Sequence, residues 1–119
     1  MPSTLQISPA GQTSVLNVAN VATSATITSL VPVNSYYITN TGNNAVQIRL
    51  DPTTQTTPVF PTATTSSLGV VLGSQDDIVL NIPTALATGT NRFVTTIYLS
   101  AISTTTTVNT LFVTPVQVN

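Results

Sequence analysis

Ser35-Tyr36-Tyr37-Ile38-Thr39-Asn40-Thr41-Gly42-Asn43-Asn44-Ala45-Val46-Gln47-Ile48-Arg49-Leu50 is the stretch on which the fold of this chain turns. Its opening run of Tyr, Ile and Thr suits a pleated, half-buried strand. Asn40 to Asn44 centre on Gly42. Glycine and asparagine tolerate positive φ, so a turn is expected here, with a hairpin around it. On the return, Val46, Ile48 and Leu50 alternate with Ala45, Gln47 and Arg49. A period of two sends the first set to a core and places Arg49 in solvent or at an interface.

The same alternation continues outward. Residues 93–102 form the longest expected strand, with Phe93, Ile97, Leu99 and Ala101 on one face. Residues 108–114 make the last strand, which Pro115 is expected to terminate because proline cannot donate to a ladder. Residues 68–72 and 78–82 give two short strands, and 15–21 and 25–30 two more upstream. No window carries a helical apolar stripe, and the helix formers Glu and Lys are absent. The expectation is an all-β fold: an antiparallel β-sandwich of about seven or eight strands, jelly-roll or Ig-like. Residues 1–12 are expected to be a flexible N-terminal arm on a single domain over 13–119. Residues 51–67, broken by Pro52, Pro58 and Pro61 and otherwise mostly Thr and Ser, form a long loop. Such a loop in a small domain is usually functional or mobile.

Composition bounds the function. Of 119 residues only Arg49, Asp51, Asp76, Asp77 and Arg92 are charged, and there is no Lys, Glu, His or Cys. An average domain carries about a quarter of its residues as charged side chains. Two arginines cannot neutralise a run of phosphates, so nucleic acid is not an expected partner. No stretch approaches the ~20 apolar residues of a membrane span, and a membrane partner is not expected either. The start of the chain lacks the basic and apolar runs of a secretory signal, and absent cysteine fits a reducing cytoplasm.

Catalysis is short of materials. Ser or Thr nucleophiles need an adjacent base, and neither His nor Lys exists here. Asp51 with Asp76 or Asp77 could make a carboxylate pair, but all three read more simply as turn residues. Asp76 and Asp77 could help hold a hard cation, although two solvated aspartates at a turn is the stronger reading. No cofactor and no metal is expected, and no enzymatic activity. Thr-X-Thr repeats fall at irregular intervals, which argues against a regular threonine lattice. What remains is building material, with uncharged hydroxyl and amide surfaces whose contacts hardly depend on ionic strength. Edges without lysine favour association, so a homo-oligomer, dimer or trimer, is expected. The contact residues singled out are Arg49 on the exposed strand face, Val59 and Phe60 in the long loop, and Arg92, with the alternative that Phe60 folds back as a lid on one end of the core.

The segment Ile38-Thr39-Asn40-Thr41-Gly42-Asn43-Asn44-Ala45-Val46-Gln47-Ile48-Arg49 resembles the N-T-G-x-N-x-V-x-V/I-R hairpin of small bacteriophage virion proteins. An apolar-Gly segment like Val71-Leu72-Gly73-Ser74 follows it there. A Tyr-containing strand like Thr96-Ile97-Tyr98-Leu99-Ser100-Ala101 comes next, then a Thr-rich last strand like Leu111-Phe112-Val113-Thr114-Pro115. The similarity spans roughly residues 25–115. It implies a β-sandwich that decorates or cements a phage capsid by binding major capsid protein subunits, located on the virion surface after assembly in the host cytoplasm. It carries no catalytic residues over. The competing expectation is a tail, fibre or adhesin-type domain that recognises a host receptor or glycan.

Overall fold

Nine strands and no helix form within residues 6–52, 69–82 and 93–118, the residues that the computed structural model describes. They are β1 (Ile7–Pro9), β2 (Ser14–Val18), β3 (Thr23–Val33), β4 (Ser35–Asn40), β5 (Val46–Asp51), β6 (Val70–Leu72), β7 (Asp77–Asn81), β8 (Val94–Ser103) and β9 (Asn109–Val118). Two antiparallel sheets result. The β9 sheet runs β1/β2–β9–β4–β7, with β1 and β2 placed end to end along one side of β9, and the β8 sheet runs β3–β8–β5–β6.

The pairing is nested: β2 with β9, β3 with β8, β4 with β7 and β5 with β6. The chain is one long hairpin, rolled up so that its strands fall in two facing sheets. That is a jelly roll. The Ig-like alternative falls away, because its last two strands share a sheet whereas β8 and β9 do not. Between the sheets the inward positions are apolar, among them Val18, Ile27, Ile38, Ile48, Leu99 and Leu111, none more than 1% exposed.

Three local expectations change. Residues 35–50 do form two strands around a turn, but not a hairpin: β4 lies in the β9 sheet and β5 in the β8 sheet. The turn crosses the core instead of closing a ladder, and buried asparagines hold it there. Asn40 Nδ2 donates to the carbonyls of Asn44 at 2.9 Å and Gly73 at 3.0 Å, while its Oδ1 accepts from Gly42 N–H at 2.9 Å. Asn109 Oδ1 accepts from Asn44 N–H at 3.0 Å, and its amide donates to the Thr107 carbonyl at 3.1 Å and the Val18 carbonyl at 3.3 Å. Gly42 lies directly on Asn109, so a Cβ there would collide with the amide. Both asparagines are fully buried. Together they fasten the four turns β2–β3, β4–β5, β6–β7 and β8–β9, each of which crosses between sheets at this end of the roll.

Pro115 does not end the last strand either. Its carbonyl accepts from Ala10 N–H at 2.8 Å, so its missing donor faces the β1/β2 side, just where that edge breaks at residues 10–13. A proline fits in a ladder where no partner strand asks for its N–H. The same break corrects the flexible arm as far as it is described: Ile7–Pro9 pairs with Val116–Val118, and Ala10 is 5% exposed. Unsatisfied donors and acceptors along the C-terminal half of β9 supply the reason, since a paired backbone is favoured over a bare edge. Val59, Phe60 and Arg92, and most of the long loop, lie outside the described residues.

Candidate functional site

The outer faces of the two sheets differ. On the β8 sheet the register sets three cross-strand rows: Ser24–Ser100–Arg49, Thr26–Tyr98–Asp51 and Ile102–Gln47–Val71. Arg49 and Asp51 share this face, as a strand running through Asp51 requires, and Arg49 Nη2 lies 3.4 Å from Asp51 Oδ2. Here the sequence expectation needs correcting. Arg49 is not freely exposed, because 22% of its side chain reaches solvent, against 4% for Asp51, and its Nε is buried without a hydrogen bond. Gln47, Ser100 and Asp51 beside it are 1%, 1% and 3% exposed, so the middle of this face is closed. Gly69 contributes to the closure. Its φ of 149° suits glycine alone, and a Cβ would collide with the Gln47 amide. An ion pair held this way anchors the strand.

The outer face of the β9 sheet is open. Its central row runs Val15–Phe112–Thr39–Asp77 across β2, β9, β4 and β7, and the next row carries Thr114, Tyr37 and Val79. Val15 is 56% and Phe112 39% exposed. Short polar side chains tie the β2 side to β9: Thr13 and Thr114 share a hydroxyl hydrogen bond of 2.6 Å, and Thr110 Oγ1 donates to Asn17 Oδ1 at 3.0 Å. Tyr37 donates its phenolic proton to the Asp77 carboxylate. That acceptor holds the Tyr37 proton more tightly than usual and raises its pKa. Asp77 is the one charge on this face among the described residues. The result is a surface of aromatic, aliphatic and hydroxyl groups, the composition of a docking face whose strength is insensitive to salt.

Sequence reasoning passed over this face although one signal was there. Tyr36 and Tyr37 are adjacent in a strand, so they must point to opposite sides. Tyr36 is fully buried and Tyr37 points out. Phe112, between the inward Leu111 and Val113, follows by the same rule. The three aspartates are not gathered: Asp51 sits on the outer face of the β8 sheet and Asp77 on that of the β9 sheet. Asp76 Oδ1 accepts the Asp77 N–H at 2.9 Å, the turn role expected of it. Among the described residues no group of three or more metal-ligating side chains occurs.

Comparison with models of protein families found no match, and comparison with curated proteins found none either.

Proposed function

We propose that this chain is a bacteriophage virion structural protein that decorates or cements the capsid by binding major capsid protein subunits. The observation that carries the reading is the open, nearly uncharged outer face of the β9 sheet, centred on Phe112, Tyr37 and Val15, on a jelly roll. Jelly rolls recur in viral capsid proteins, which is support by analogy of fold, and they recur in lectins too. The resemblance of residues 25–115 to small phage virion proteins supports the same reading. A face of this kind buries modest area per copy. Repetition over a symmetric shell turns such weak contacts into firm attachment.

The test is to purify particles of the phage that encodes the chain, wash them in high salt and quantify the protein. High copy number that survives the wash, and is lost on Phe112→Asp, is the expected result. Protein found only in the soluble lysate overturns the reading. A second reading rests on the same aromatic side chains, since Tyr37 and Phe112 amid hydroxyls could stack a sugar ring as a recognition domain does. Retention on a glycan array, with localisation at a tail tip, would favour it.

A further inference from the structure

We infer that the chain forms a two-fold dimer by pairing β3 with β3 of a second copy, which makes one continuous sheet across the two molecules. β3 is an edge strand. From Thr23 to Thr28 it is in unbroken register with β8, and among the described residues its backbone bonds to nothing else over that run. Ser24, Thr26 and Thr28 are exposed.

Proteins guard such edges with charge, proline, bulges or brevity. The other edges show these devices. β1 and β2 are separated by the break at 10–13 and β1 ends in Pro9. β6 has three residues, and β7 begins at the Asp76-Asp77 pair. β3 has its protection only in its second half, where Ser29-Leu30-Val31-Pro32 bulges out opposite a single residue of β8. Thr23–Thr28 carries no charge and no proline.

The second copy is identified by self-complementarity. A two-fold axis perpendicular to the sheet keeps inward faces inward, so only residues of like parity can meet. Centred on Thr26, the pairing sets Thr26 against Thr26, Ser24 against Thr28 and Ala25 against Ile27. The same operation brings Val21 of each copy to the Leu30–Val31 end of the other. Leu30 at 86% and Val21 at 72% are the two most exposed large apolar residues among those described, and Val31 beside Leu30 is 41% exposed. The contact would cover them at both ends of the hydroxyl ladder. This pairing does not depend on the virion reading, and either can fail without the other.

Sedimentation of the purified full chain tests it. The wild type should have twice the 12.4 kDa mass of one chain. Thr26→Lys, which sets like charges opposite each other at the axis, should return it to the mass of one chain. Because the chain has no cysteine, Thr26→Cys should cross-link under mild oxidation to a covalent dimer, while Val15→Cys on the outer face of the other sheet should not. A monomeric wild type, an oligomer that Thr26→Lys leaves intact, or cross-linking through Val15→Cys in place of Thr26→Cys would overturn the inference.

Discussion

At the scale of residues, some buried polar groups hold the fold, and the Tyr36 hydroxyl costs it stability. Asn109 connects three turns, and Asn109→Ala would strand the Asn44 N–H in the interior. An unmatched buried donor costs about 1–3 kcal/mol, so a loss of about 2 kcal/mol in denaturant unfolding is expected. Arg49→Ala removes a cationic partner of the buried Asp51 and should cost about 1–2 kcal/mol in the isolated protein, before any particle is involved. Loss of particle binding on that substitution would therefore not identify an interface, whereas Phe112→Asp on the open face would. Tyr36 behaves in the opposite sense. Its hydroxyl is fully buried with no hydrogen-bond partner. Tyr36→Phe should stabilise the protein by about 1 kcal/mol. A destabilised variant would show that the hydroxyl has a bound water as its partner.

At the scale of elements, the alternation of Val46, Ile48 and Leu50 or of Ile97, Leu99 and Ala101 was enough to assign strands and their inward faces. Phe93, however, expected on the face of Ile97, precedes β8 and is 55% exposed. Alternation could not assign pairing. A turn rich in Asn and Gly suits a hairpin and a sheet-to-sheet crossing equally well by local chemistry. The difference lies in Asn109 and Gly73, which come from distant parts of the chain to meet Asn40 and Asn44. β1 shows the same limit: Ile7–Pro9 has no strand pattern of its own and is ordered by β9. Deleting residues 1–9 should therefore lower stability by about 2 kcal/mol, at about 1 kcal/mol or less per lost backbone hydrogen bond, measured by thermal unfolding. A loose arm would leave the unfolding temperature unchanged.

At the scale of the whole molecule, scarcity of charge governs the response to pH and salt. No His, Lys, Cys or Glu side chain is present. No side chain of ordinary pKa then titrates between about pH 5 and pH 9, and stability should be nearly flat over that range. The change comes at the alkaline end. Burial pushes Tyr36 from 10.0 up to about 12. The folded state holds this proton more tightly than the unfolded state. The stabilisation is complete below pH 10 and is lost as pH rises towards about 12. Tyr37 shifts in the same direction. A melting temperature that is level through neutrality and falls above pH 10, less steeply in Tyr36→Phe, is the expected profile. A fall beginning near neutrality would contradict it.

By itself, the sequence determined that this chain is all-β, that its core faces are apolar and that its surface is made of hydroxyls and amides, because alternation and composition are local properties. The tertiary structure alone decided which strands pair, and with that the jelly roll, the closing of the Arg49 face, the opening of the Phe112–Tyr37 face and the bare edge of β3. Those outcomes depend on contacts between residues far apart in the chain, such as Val15 with Phe112 and Asn44 with Asn109. Local preference carries no information about which distant strand will supply the other half of a ladder.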